Sequence, residues 1–161
     1  MTAFCTKCPL KHSGTGDPVG PEIHSNDQVI IIGDFPGIHE TVEGRPFVGP
    51  GGVELQRALD RLDLKRFSCH LTNALCCRPP KNDLEATNIQ ISRKNKGKSE
   101  EERVLKPAEA CRGRLYRELQ ATGIHKIICL GKEAARAIRQ KEVSVMKIRG
   151  GCEEVPAGIQ T

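Results

Sequence analysis

Gln28–Ile32 and Lys126–Leu130 are short runs that are apolar without alternation, and between them Ser68–Leu75 reads as a second strand. A continuous apolar run bounded by turn residues fits a strand buried on both faces, as in a parallel sheet. Asp27 and Gly33 bound the first run, and Arg78-Pro-Pro80 stops the second. Between them Leu55, Ala58, Leu59 and Leu62 recur at helical spacing, with Glu54, Arg57, Asp60 and Arg61 on the opposite face. That pattern predicts an amphipathic helix. Pro107 suits a first helical position, Ala108, Cys111, Leu115 and Leu119 share a face, and Gly123 suits a helix stop. Gly131 leads into a further helix carrying Ala134, Ala135 and Ile138. Strand and helix alternating three times predict an α/β fold on a parallel sheet. The polar stretch Lys81–Lys106, with Arg93-Lys94, Lys96, Lys98 and Glu100–Glu102, reads as a solvated excursion rather than a second domain. No internal repeat is visible, so residues 1–161 are expected to form one domain.

Composition narrows the class. At 161 residues the chain can bury a core without staples, although only 3% of it is aromatic. Sixteen Gly and ten Pro assign much of its length to turns and shaped loops. No apolar run approaches the ~20 residues of a membrane span. Met1–Leu10 lacks the charged start and apolar stretch of a secretion signal. The expectation is an intracellular, cytoplasmic monomer with no membrane contact. A net charge of +5 and a pI near 8.8 admit a polyanionic partner without requiring one. Eight Cys in such a chain point to metal ligands, small core residues or redox groups rather than a disulfide framework.

Phosphate-loop motifs fail on inspection. Gly97-Lys98-Ser99 has Ser92 where a P-loop needs glycine, and Gly49-Pro-Gly-Gly52 has Glu54 where a dinucleotide fingerprint needs its third glycine. The latter reads as a tight turn into a helix, able to hold one DNA phosphate. Cys5-x-x-Cys8 is a bidentate half-site for a soft metal and needs two more thiolates. Cys76 or Cys77, and Cys111, are the best placed to supply them. Cys69 and Cys129 read as core residues, and Cys152 has no assignment. Gly33-Asp-Phe-Pro-Gly37, Glu40, Gly44-Arg-Pro-Phe47 and Gly49 follow the first strand, where open α/β sheets bind ligands. A carboxylate, a backbone shaped by Gly and Pro, and an aromatic ring suit a flat polar ligand.

These blocks, in order, resemble one family. Gly33-Asp-Phe-Pro-Gly-x-x-Glu40, Gly44-Arg-Pro-Phe-Val-Gly49, Thr72-Asn73, Cys77-Arg-Pro-Pro-x-Asn82 and Cys111, after the Cys5–Cys8 pair, are similar to family 4 uracil-DNA glycosylases from residue 5 to about residue 150. The resemblance implies a three-layer fold, with a central four-stranded parallel sheet flanked by helices. It implies a [4Fe-4S] cluster on Cys5, Cys8, Cys77 and Cys111, which selects Cys77 over Cys76. The implied activity is hydrolysis of the N-glycosidic bond of uracil in DNA. In that chemistry a uracil flipped from the duplex stacks on Phe47, beside Phe35, and Asn73 reads its polar edge by donating and accepting at once. Asp34 and Glu40 would serve the sugar side and position water, backbone N–H groups would face the uracil anion, and Asn82 would lie near the substrate.

Three departures accompany the likeness. Asp34-Phe35 stands where the family has Glu-Ala, and the interval from Cys77 to Cys111 is about twice the family length. The family's His-Pro-Ser segment after a fourth strand has no counterpart among His12, His24, His39, His70 and His125. The expectation is therefore DNA binding with feeble excision. The alternative is a non-catalytic DNA-binding or interaction module that kept fold and cluster, or one domain of a larger replication protein.

Overall fold

The computed structural model describes residues 3–13, 15–24, 28–124, 126–140, 144–148 and 150–151. Cys152 and His125 lie outside the described residues. The elements are strands β1 (Val29–Gly33), β2 (Cys69–Asn73) and β3 (Ile127–Leu130), with helices α1 (Ile38–Glu43), α2 (Pro50–Arg61), α3 (Leu84–Lys94), α4 (Pro107–Thr122), α5 (Lys132–Arg139) and α6 (Val145–Ile148). The sheet is parallel, in the order β2-β1-β3, with Gly33 opposite both Asn73 and Leu130.

The layering follows from the order of the strands. The chain moves from β1 to β2 on one side, then returns past β1 to β3 on the other. Two right-handed crossovers in opposite directions must put their helices on opposite faces. Alternate residues of β1 accordingly feed two cores. Ile30 and Ile32 join Leu115 and Leu119 of α4, Ala134 and Ile138 of α5 and Leu84 of α3. Val29 and Ile31 join Leu55 and Leu59 of α2 with Cys69 and Leu71. This is the three-layer α/β arrangement expected.

Several expectations are corrected. The resemblance implied four strands, and the described residues contain three. The run Lys126–Leu130 was expected to be buried on both faces, yet Ile128 is 41% and Leu130 40% exposed. Among the described residues β3 pairs with β1 alone, and helices cover only one of its faces. Cys129 turns to the covered face and is partly buried against the α4–α5 core, whereas Cys69 is fully in the core. Ala58 and Leu62 of the α2 pattern face outward, and Leu55, Leu59 and Gly52 carry the buried face. The excursion is more than solvated loop. Asp83 accepts from Ala86 N at 2.8 Å to cap α3, whose Leu84, Thr87 and Ile91 are buried.

Candidate functional site

The residues singled out after β1 converge on the carboxyl ends of the strands. Gly33 ends β1 beside Asn73, which ends β2 and is buried. A Cβ on Gly33 would collide with Asn73 Oδ1 and stand 2.9 Å from Phe47 Cζ, so the missing side chain is what admits both groups. Phe47 itself holds a left-handed backbone, φ +53°. Gly52, on the first turn of α2, lets the helix backbone press against the Phe47 carbonyl, where any Cβ would clash. Phe47 and Asn73 are thus brought together over one glycine.

The Phe47 turn is braced by a network that pattern reading missed. Arg66 donates from Nη1 to Phe47 O (3.0 Å) and from Nη2 to Pro46 O (2.7 Å). The same guanidinium grips Glu22 through Nε (2.8 Å) and Nη2 (2.9 Å). Arg45 adds a second grip on Glu22 at 3.0 and 3.2 Å. Glu22 is anchored in turn by two backbone hydrogen bonds to Leu71, 2.8 and 2.9 Å, at the flank of β2.

Glu40, buried on α1, has both carboxylate oxygens engaged. Oε2 accepts from Gly37 N (3.0 Å), and Oε1 accepts from Val48 N (3.1 Å) and Gly49 N (2.7 Å). Three charge-assisted bonds to backbone close the loop from Gly37 to Gly49 on one side chain. Beside it lies a recess of about 410 Å³ lined by His39, Gly49, Pro50 and Arg57 among others.

Asp34 points across the sheet to α5. Its Oδ1 accepts from Ala134 N at 2.9 Å, supplying the cap that Gly131 lacks a side chain to give. Gly131, at φ +125°, leaves no room for a Cβ, which would sit 2.5 Å from Asp34 Oδ2. Burial pushes the Asp34 carboxyl above its ordinary value, and the adjacent Glu133 charge adds to this, against the amides of Ala134, Glu133 and Lys132, which pull it down. Phe35 packs with the α4–α5 core, whereas Phe47 packs with the α2 core, so the two rings lie on opposite faces. Asn82 is exposed at φ +57°, following Lys81 at φ +55° in the turn after Pro80.

A second network fixes the end of β2. Arg114 of α4 donates to the carbonyls of Asn73 (2.5 Å) and Ala74 (3.0 Å), to Thr72 Oγ1 (3.1 Å) and to Glu118 Oε2 (2.6 Å). Glu118 Oε1 meets the Nε2 of fully buried His70 at 2.8 Å. Burial pushes the Glu118 carboxyl up, but the His70 hydrogen bond, the Arg114 charge and Thr72 together hold it below its ordinary value. The residue that would read a base edge is thereby clamped from behind by a half-buried cation.

The cysteines gather behind this network. Burial raises the Cys8 thiol, and the neighbouring Cys111 and Cys5 raise it further. Burial pushes Cys77 up to about 12, with Cys111, Cys8 and Cys5 adding to the rise. Cys77 thus stands within electrostatic reach of Cys5, Cys8 and Cys111, and Cys8 within reach of Cys5 and Cys111. Cys76 is close as well: its hydrogen bond to Cys111 lowers that thiol to about 6, with the Arg114 charge assisting. Among the described residues no three His, Cys, Asp or Glu groups close to the spacing of a single-ion site. The donors gathered here are thiols, the soft ligands that both iron–sulfur clusters and zinc accept.

Comparison with known proteins matches residues 21–156 to the uracil DNA glycosylase superfamily. Curated relatives include the type-4 uracil-DNA glycosylases of Archaeoglobus fulgidus, 32% identical over 83% of this chain and 58% of the relative, and Pyrobaculum aerophilum, 34% identical over 84% and 60%. That of Thermotoga maritima is 30% identical over 91% of this chain and 67% of its own length. The chain spans about three fifths of the length of the first two relatives. No helix among the described residues is long and apolar enough to cross a membrane.

Proposed function

We propose that this chain, which belongs to the uracil-DNA glycosylase superfamily, removes uracil from DNA by hydrolysing its N-glycosidic bond. The observation that carries the reading is the meeting of the Phe47 ring and the Asn73 amide over Gly33, at the carboxyl end of the central strand. A uracil turned out of the stack rests on Phe47, and Asn73 both donates to and accepts from its polar edge. Rupture of the bond leaves cationic character on the sugar and negative charge on the base. Asp34 is the carboxylate on the sugar side, and backbone N–H groups at the strand ends face the base. Glu40 acts through the loop it closes, since its oxygens are held by the amides of Gly37, Val48 and Gly49. Asn82 touches the DNA beside the flipped nucleotide.

Cys5, Cys8, Cys77 and Cys111 would hold a [4Fe-4S] cluster, with Cys76 donating to Cys111 from outside the ligand set. When bound, the cluster supplies folding energy by joining the segment before β1, the turn after β2 and α4. Excision is tested on uracil-containing single- and double-stranded oligonucleotides, with Phe47→Ala and Asn73→Asp beside the parent chain. Loss of stacking is expected to weaken uracil binding by ~1–3 kcal/mol. Asn73→Asp is expected to reject uracil, because an ionised carboxylate cannot donate. The engagement of Asp34 by α5 favours a second reading, a DNA-binding module with little turnover. Tight binding without free uracil in the product would select it.

A further inference from the structure

The segment between Asn82 and α4 builds a groove that the chemistry above does not use. α3 forms one wall. The chain then turns at Gly97, φ +78°, and returns as the other wall. The Asn95 side chain locks the two together, donating to Val104 O (2.8 Å) and accepting from Val104 N (2.9 Å) as a strand partner would. The return segment is also fixed to the body: Leu105 N donates to Lys7 O, and Lys7 Nζ to Glu101 O, each at 3.1 Å. The groove between these walls has a volume of about 820 Å³. Arg93, Lys96, Lys98, Arg103 and Lys106 line it, against the carboxylates of Glu85 and Glu100. Glu100 is already spent on Arg103 at 3.0 Å. Ile89 adds an apolar surface, 47% exposed.

We propose that this groove binds the sugar–phosphate backbone of the DNA strand flanking the flipped uracil, an inference that rests on the reading just given. Charge complementarity selects a polyanion, and length selects a strand over a lone phosphate. The ten residues of α3 from Glu85 to Lys94 run about 15 Å, and successive strand phosphates advance about 3.4 Å along the axis. Along the strand itself neighbouring phosphates lie about twice that far apart, so the groove spans two intervals and accommodates roughly three phosphates. Its near end, at Glu85, begins three positions after Asn82, the residue read above as touching the DNA beside the flipped nucleotide. Ile89 meets the apolar faces of sugars or bases between phosphates.

The test is fluorescence anisotropy of the full chain on a labelled, uracil-free, 20-nucleotide single strand across a salt series. Arg93, Lys96 and Lys98 are exposed, so their triple replacement by alanine is expected to leave the fold in place, as circular dichroism checks. Removing three phosphate contacts is expected to lower the salt-dependence slope by about 2 and to weaken binding more than tenfold at low salt. Glu100→Gln frees Arg103 and is expected to tighten binding, a change in the opposite direction that loss of structure cannot imitate. Parental slope and affinity in the triple variant, or no gain in Glu100→Gln, overturns the proposal. Excision by the parent is scored separately. A changed slope in a chain that releases no uracil keeps the groove and discards the glycosylase reading. An unchanged slope in a chain that does release uracil discards the groove alone.

Discussion

Replacing Arg114 with methionine keeps the length of the side chain and removes its charge. Four acceptors lose a donor at once: two backbone carbonyls, the Thr72 hydroxyl and the Glu118 carboxylate. Breaking a buried ion pair from one side costs ~3–5 kcal/mol. Arg114 keeps about a fifth of its side chain in solvent, so water replaces some of those bonds and the low end, ~3 kcal/mol, is expected. Such a loss is a large part of a domain's ~5–15 kcal/mol but leaves it folded. With a urea slope of ~2 kcal/mol/M, the unfolding midpoint moves down by roughly 1.5 M. The sign of the pH dependence follows from Glu118, whose carboxyl is held below its ordinary 4.5 in the fold. Its contribution is fully present above the unfolded value and is lost as pH falls through the folded one. The gap between parent and variant therefore stays constant near neutrality and closes in acid, below about pH 4.5. Glu118→Leu supplies the other side of a double-mutant cycle, where a coupling of ~1–3 kcal/mol is expected. A cost under ~1 kcal/mol, no coupling, or a gap of equal size at pH 7 and pH 3.5 refutes the reasoning.

The remaining predictions concern the strand ends and the thiols. Gly33→Ala places a methyl group against Asn73 and Phe47, so a loss of ~1–3 kcal/mol by thermal melting should accompany lost affinity for uracil-containing DNA. Parental affinity in that variant separates Phe47 and Asn73 from the base pocket. Asp34→Asn keeps the oxygen that caps α5, whereas Asp34→Ala loses it at ~1–2 kcal/mol. Because the Asp34 carboxyl is raised in the fold, its contribution is full below the unfolded value near 3.8 and is lost as pH rises through the folded one. Asp34→Asn should therefore match or exceed the parent in stability at pH 7 while abolishing excision, and persisting excision removes Asp34 from the chemistry. The anaerobically purified chain should be brown, and Cys5→Ala or Cys111→Ala should bleach the visible absorbance and lower the melting point. A colourless parent with stoichiometric zinc contradicts the cluster.

Apolar pattern made β1, β3 and helices α2, α4 and α5 legible, because each buries a face its own residues define, and the Pro-Pro stop marked β2. α3 was hidden because its buried positions are Leu84, Thr87 and Ile91 in a polar run, so its stability comes from tertiary packing more than from a stripe. The exposure of β3 was hidden for another reason: an apolar strand reads the same whether or not anything covers its second face. Within the site, chain order and residue type singled out Asp34 and Phe47 after the first strand, and the family resemblance added Asn73, which ends β2. Spacing alone left Cys76 and Cys77 open, and both sit beside Cys111 in the fold. The bracing networks join residues 44 and 48 positions apart, a relation no local window contains. One signal was present all the same. Arg114 and Glu118 fall at helical spacing with Cys111, Leu115 and Leu119, so the inward stripe of α4 carried a cation and an anion where apolar residues were expected.

The contact between Asp34 and the start of α5 constrains how this sequence can diverge. The carboxylate reaches an amide a hundred positions further along the chain, and the space it occupies is the space a side chain at 131 would need. Neither site can drift alone. A longer acid at 34 has to turn away from the helix, leaving its first amides uncapped, and any non-glycine at 131 has to find both a tolerated backbone and an emptied volume. Viable changes at the two positions should arrive as pairs, so that among descendants of this chain a glycine at 131 travels with a short acceptor at 34 and is released only when that acceptor is lost.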